Sequence, residues 1–424
     1  MKATNLADVL RYFDPKKPLT DHQLDDWFVE RAGQARELLK ISLTLQDELQ
    51  KILFVGHRGS GKSTELNKLA EEIEDQYHVI SFDTLNLTGR TNLEYEDLML
   101  SISTQVMRSC IQEGLVERPL SEPLVRRWEE LRDWWHRVVA GLEFQPSPAE
   151  AEVKMQLNML LGQVELGARQ SSIARDELKA QISRQMPELI RNLNWVISEA
   201  EENGKRLLII IEGLDKIDLD SAASIFRDHA PTITAPKATM IYTFPVALRH
   251  SDHANTIRLS FSGLHFLSNM ATRQADGTEN PQGVASLREV VLARMEPQLI
   301  ESAALDLLVQ ANGGIPVWLV FLMRTAALYA LARDTAAVQI TVADAHNAIK
   351  DLRRDILLSL TRHDLDVLRA RHADRQLTND ADEQRLLYNG SLIEYSNGEL
   401  WCDAHPALWS ILEQTGDDNS GTES

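Results

Sequence analysis

Cysteine is almost missing from this chain. Its 424 residues include only Cys110 and Cys402, too far apart in sequence for a disulfide framework or a zinc motif. That usage predicts a reducing, cytoplasmic setting. The N-terminus, MKATNLADVLRYFDP, lacks the consecutive apolar residues of a signal peptide. Long hydrophobic runs are missing too. The most apolar stretch, VWLVFLMRTAALYALA, is shorter than the roughly 20 residues a membrane span needs, and it carries Arg324 in its middle. It reads as a buried helix, and no membrane partner is expected. Basic charge is scarce: 44 Lys and Arg stand against 63 Asp and Glu, a formal net charge of −19. Such a surface repels phosphate backbones, which disfavours a broad nucleic-acid footprint and leaves room only for a local basic patch. No repeat of solenoid period is visible.

What is present fits an ordinary globular protein of two or three domains, with 43% hydrophobic residues to fill them. Residues 1–48 read as a helical lead-in. A first strand, KILFV, begins at Lys51, a helix follows with Leu66, Leu69 and Ile73 on one face, and HVISFDTLN reads as a second strand. The uninterrupted RLLIII from Arg206 suits a strand buried on both faces of a parallel sheet. ATMIYTF and TIRLSF are two further strand candidates. Strands alternating with helices predict an α/β parallel sheet with right-handed crossovers over 49–275, interrupted by a charged helical insertion at about 105–204. Inside it, FQPSPAEAE marks a break, and Val153, Met155, Leu157 and Met159 alternate with polar residues as a short strand or a helix would. Trp128, Trp134 and Trp135 serve either helix packing or a partner surface. A helical lid is expected over 276–357, with Thr341 as an N-cap, and a winged-helix-like unit over 358–415, where SNG joins two apolar runs in a hairpin. The polar tail 416–424 is expected to be disordered.

The sharpest motif is Gly56-His57-Arg58-Gly59-Ser60-Gly61-Lys62-Ser63-Thr64, which fits G-x-x-x-x-G-K-[ST] between a strand and a helix. Its glycines let backbone N–H groups curl around phosphates, Lys62 supplies a point charge, and Ser63 offers a hydroxyl to magnesium. The expected ligands are ATP or ADP with Mg2+. Glu212, directly after the RLLIII strand, is the candidate acid for the metal shell. The next residue is Gly213, where many P-loop ATPases carry a glutamate that orients water, so slow hydrolysis is expected. Asp215 suits either water positioning or a structural place as a helix cap or partner of Lys216. Thr243, near the end of MIYTF, lies where a polar residue would sense the γ-phosphate in a P-loop NTPase sheet of ASCE type, or is a plain strand-end threonine. Arg227 and Arg249 lie near these strands without a motif that marks either as an arginine finger.

Four further segments make the chain resemble the STAND branch of P-loop ATPases, the NACHT and NB-ARC type switches related to AAA+ proteins. Glu212-Gly213-Leu214-Asp215 is similar to the NACHT form of Walker B, with Glu in place of Asp and Lys216 in place of a final acid. Gly314-Ile315-Pro316-Val317 resembles the Gly-Leu-Pro-Leu motif of the family's lid, which implies Pro316 packing on adenine; a proline that starts the next helix is the alternative. Origin-recognition ATPases carry an arginine after that proline, and here the residue is Val317. Cys402-Asp403-Ala404-His405-Pro406 resembles the Met-His-Asp motif, which implies that His405 reads an ADP phosphate, although Pro406 replaces the aspartate; a helix-start histidine is the alternative. Trp27-Phe28-Val29-Glu30-Arg31 resembles the segment that lies along adenine, which implies a binding role for Arg31, or else an aromatic anchor for the N-terminal helix.

The resemblance implies a conformational ATPase that self-associates and works with a separate sensor or effector protein, since neither trigger-sensing repeats nor a nuclease, TIR or protease segment is recognisable. By analogy with bacterial members it implies a part in defence against phage. The alternative is an origin-recognition or transposition-type ATPase acting on DNA through its winged helix. The segment DADEQRLLYNG, its nearest candidate recognition helix, carries more acid than base. A scaffold that binds nucleotide without turnover is a third reading.

Overall fold

A computed structural model describes residues 1–31, 33–89, 91–112, 115, 172–202 and 204–414. The alternating segment 153–159, the three clustered tryptophans and the tail 416–424 lie outside the described residues. The centre of the structure is a five-stranded sheet of β1 (Lys51–Gly56), β2 (Tyr77–Asp83), β3 (Arg206–Glu212), β4 (Thr239–Pro245) and β5 (Gly263–Phe266). The spatial order is β2-β3-β4-β1-β5 and every pairing is parallel.

Both faces of this sheet are covered, which is why its strands are apolar without interruption. Ile52, Phe54, Leu208, Ile210 and Ile241 point to one face, under the helices Ala35–Leu45 and Lys62–Glu72. Leu53, Val55, Ile209, Ile211 and Tyr242 point to the other, into a core shared with the helices Tyr95–Gln112 and Ser172–Glu201. The phenol of Tyr242 is fully buried and satisfied by the Ile233 carbonyl at 2.6 Å.

TIRLSF is not a strand. Residues Ala254–Leu259 form a short helix, and the edge strand is the following Gly263–Phe266, which pairs with Ile52–Val55 of β1. In this segment Ile257 is buried while Leu259 is 84% exposed, so the apparent alternation is one side of a helical turn.

Beyond the sheet come the helices Pro281–Leu292, Ser302–Ala311, Pro316–Arg333 and Val342–Leu357. Thr341 caps the last of them in a reciprocal box with Asp344. Pro316–Arg333 is the one described helix long and apolar enough to cross a membrane by length and composition. Here Leu319, Leu322, Met323, Ala326 and Ala330 of this helix are buried in the shared core. Its Arg324 donates to the carbonyl of Leu10, which ties it to the N-terminal helix Leu6–Tyr12. The helices Arg362–Asp374 and Ala381–Asn389 precede an antiparallel hairpin of β6 (Leu392–Ser396) and β7 (Leu400–Ala404), turned at Gly398. Tyr395 and Trp401, opposite each other in the hairpin, stack with centroids 4.4 Å apart.

The turn into Pro316–Arg333 depends on Gly314. Its φ is 74° and its carbonyl accepts the Met270 N–H at 2.9 Å. A Cβ there would meet the Met270 carbonyl oxygen at 2.5 Å. Gly314→Ala therefore combines left-handed strain with a backbone clash, and we expect it to lower unfolding free energy by about 2 kcal/mol or more, read from urea midpoints.

Candidate functional site

The phosphate-binding loop leaves β1 at Gly56 and enters the helix Lys62–Glu72. The Lys62 ammonium, buried, donates to the carbonyls of Gly56 and His57, both at 2.8 Å, and pairs with Asp215 Oδ2 at 2.8 Å. Burial alone pushes both partners toward neutrality. For Asp215 the ammonium groups of Lys62 and Lys216 prevail and hold its carboxyl below the usual range. Asp215 also takes a hydrogen bond from Thr243, at the end of β4, whose hydroxyl reaches the Ile211 carbonyl at 3.4 Å. Asp215 is thus an interior group of this loop, and Lys216 pairs instead with Asp83, at 3.3 Å.

Glu212 ends β3 and faces the Ser63 hydroxyl. Burial raises its carboxyl, and the Ser63 hydrogen bond opposes the rise. A hydroxyl and a carboxylate side by side next to a phosphate-binding loop are a donor set that fits magnesium completed by phosphate oxygens and water. The buried Arg31 guanidinium pairs through Nε with Glu65 at 2.9 Å, and its Nη1 has no acceptor among the described residues. Its Nη2 lies 2.5 Å from where a Cβ of residue 61 would stand, so Arg31 braces the glycine loop from behind.

A cavity of about 720 Å3 opens in front of the loop. Its walls are the loop itself, the N-terminal segment with Tyr12, Leu19 and Trp27, and the start of the helix Pro316–Arg333 with Pro316, Trp318 and Phe321. The N-terminal segment is fixed there because the Leu19 N–H donates to Thr64 Oγ1 at 3.3 Å and Asn67 donates to the Leu19 carbonyl at 2.8 Å. Seven basic side chains and two acidic ones line the cavity, an inversion of the charge balance of the whole chain. The combination of a cationic end and an aromatic, proline-lined wall suits an anionic ligand with a flat apolar group.

Two distant parts of the chain rest directly on the loop. The Val317 N–H donates to the Gly59 carbonyl at 3.2 Å, and at Gly59, φ 78°, a Cβ would overlap Val317 Cγ1 at 1.9 Å. From the hairpin, the Glu394 N–H donates to His57 Nε2 at 2.8 Å. The Glu394 side chain is fully buried and held by Arg249 and by His250 Nε2 at 2.6 Å, while its carbonyl accepts from Asn269 at 3.0 Å. Arg58 lies over the ring of Tyr388, 5.2 Å from its centroid, and Tyr388 donates to the Lys216 and Ile217 carbonyls.

The structure therefore brings together Gly59, Gly61, Lys62, Ser63, Thr64, Glu212, Asp215, Thr243 and Pro316, with Arg31 behind them. His405 does not line the cavity. It is wholly buried beside Trp318, its Nδ1 accepting the Ala407 N–H at 3.2 Å. Sequence reasoning missed Lys16, Lys17, Arg294 and Asn389, which line the cavity from remote segments, and it missed Glu394. Only Glu394 left a signal, a charge in the apolar run Leu392-Ile393-Glu394-Tyr395.

The sheet order, the parallel register and the glycine loop between β1 and its helix define an α/β P-loop nucleoside-triphosphatase fold. No family model matches the chain, and no curated protein does. Among solved structures, the chain is similar to a Walker-type ATPase of Pyrococcus abyssi at 16% identity and a TM-score of 0.47, over 95% of this chain and 99% of that one. It is similar to Cdc6p of Pyrobaculum aerophilum at 12% and 0.40, over 95% and 97% of the two chains. It is also similar to the RuvB branch-migration motor of Thermotoga maritima at 13% and 0.38, over 94% and 98%. Likenesses this distant carry no functional argument, and the site's chemistry rests on its own geometry.

His57 supplies a pH test. Burial, with Lys62 and His250 adding to it against Glu394, lowers its pKa from 6.5 to about 4, so neutral Nε2 stays free to accept the Glu394 N–H. Between those values the unfolded chain binds a proton that folded His57 refuses, and stability falls as pH drops, by at most about 1.4 kcal/mol per unit. His57→Gln keeps an acceptor without titrating. Urea midpoints measured from pH 7 down to 4.5 should fall more steeply for the wild type than for this variant.

Proposed function

We propose that this protein is an ATP-binding conformational switch with slow magnesium-dependent hydrolysis. One observation carries the reading: the backbone and side chains of the phosphate-binding loop are themselves the docking surface for both C-terminal parts. The Gly59 carbonyl takes the Val317 N–H and His57 takes the Glu394 N–H. A ligand that reshapes this loop biases both contacts, and a triphosphate and a diphosphate differ in what they ask of it.

In this reading Lys62 and the loop N–H groups bind the phosphates, Arg31 holds the loop in shape, and Pro316 and Trp27 flank the base. Ser63 and Glu212 would hold magnesium, which would supply charge neutralisation for the phosphates. Slow turnover follows from Gly213 standing where a water-orienting glutamate is common, and from the engagement of Asp215 by Lys62 and Thr243. Release of the hairpin then frees surface for self-association or for a partner protein, in the manner of STAND switches, and the analogy with bacterial members extends to defence against phage. The DNA-loading alternative draws less support. The helix Ala381–Asn389, which a winged helix offers to DNA, turns Gln384 and Tyr388 onto carbonyls of His250, Lys216 and Ile217, inside the protein.

Size-exclusion light scattering with ADP, or with a non-hydrolysable ATP analogue, tests the switch. A larger species with triphosphate only, lost in Lys62→Ala, is the expected outcome. An unchanged monomer whose phosphate release requires DNA contradicts it.

A further inference from the structure

Lys216 follows Asp215 in the three-residue turn Leu214–Lys216, after the end of β3. It lines the same cavity as Lys62. Its ammonium rests 3.3 Å from Asp83 Oδ2 and interacts with Asp215 and Glu212, which puts it on the side of the loop where Glu212 meets Ser63. That is the side toward which the outer phosphates of a loop-bound nucleotide point. The backbone beneath it is fixed from another part of the fold: Tyr388 donates to the carbonyls of Lys216, at 3.1 Å, and Ile217, at 2.8 Å.

We propose that Lys216 is a second phosphate-contacting cation, which reaches the terminal phosphate of a bound triphosphate from within the chain, with Tyr388 as its positioning residue. The proposal rests on the ATP reading above and deepens it. A flexible ammonium on a single salt bridge can exchange or share its carboxylate for a phosphate oxygen, a stronger multi-oxygen acceptor. A diphosphate ends one phosphate earlier, so the contact discriminates between the two nucleotides. It also ties that discrimination to the helix Ala381–Asn389, because Tyr388 of that helix holds the backbone that carries Lys216.

Calorimetric titration of ADP and of a non-hydrolysable ATP analogue, each with magnesium, tests this on the full chain as wild type, Lys216→Met, Lys216→Arg and Tyr388→Phe. In Lys216→Met the analogue should bind about tenfold weaker, roughly the worth of one charged hydrogen bond, while ADP stays within about twofold. Lys216→Arg should retain the preference, and Tyr388→Phe should lose part of it. ADP binding certifies that each variant is folded at the site. Equal weakening of both ligands in Lys216→Met, or no weakening of either, overturns the proposal while leaving the ATP reading intact. A wild type that binds neither nucleotide overturns both.

Discussion

A carboxylate removed from water must be answered by partners, and the closed arrangement of this molecule depends on how Glu394 is answered. Glu394 belongs to the hairpin, yet each group that satisfies it comes from the sheet domain or the segment leaving β5: His57, Asn269, Arg249 and His250. Breaking one partner of a buried charge costs several kcal/mol, whereas exposing the whole set to water lets every group be rehydrated. The hairpin is therefore held by an all-or-none contact. Such contacts make switches, since partial departure is the least favourable state.

The second constraint is charge. A chain with a net charge of −19 concentrates lysines and arginines around one cavity. The concentration is assembled from far-apart segments: Lys16 and Lys17 from the N-terminal segment, Arg58 and Lys62 from the loop, Lys216 after β3 and Arg294 after the first lid helix, Pro281–Leu292. Folding thus converts a repulsive average into an attractive local field, and the ligand that most reduces the self-repulsion of those cations is a polyanion. Asp215 and Asp83 meanwhile hold two of the cations in place.

The sequence made the loop and four of the five strands legible because both are local signals. G-x-x-x-x-G-K-S needs only the eight residues Gly56 to Ser63, and Ile209, Ile210 and Ile211 announce a strand covered on both faces by their side chains alone. The edge strand was misplaced because Gly263–Phe266 is short and its register is set by β1, while the neighbouring TIRLSF has a strand-like pattern in a helix. The cavity was only half legible. Pro316 and the Trp27 segment were found through a resemblance of motifs, but Tyr388, Asn389 and Glu394 act only because the hairpin unit folds back over 300 residues onto the loop. No spacing encodes that. His405 shows the converse: a motif-like histidine whose burial beside Trp318 keeps it out of the cavity lining.

The central claim is that occupancy of the loop is read through its contact with the hairpin, and hydrogen–deuterium exchange of the Glu394 amide measures that contact directly. The account predicts slow exchange across Leu392–Ser396 with ADP and faster exchange with a magnesium-bound, non-hydrolysable ATP analogue, while β1, β3 and β4 remain equally protected in both. Identical protection of Leu392–Ser396 with the two nucleotides, when both are bound, would contradict it.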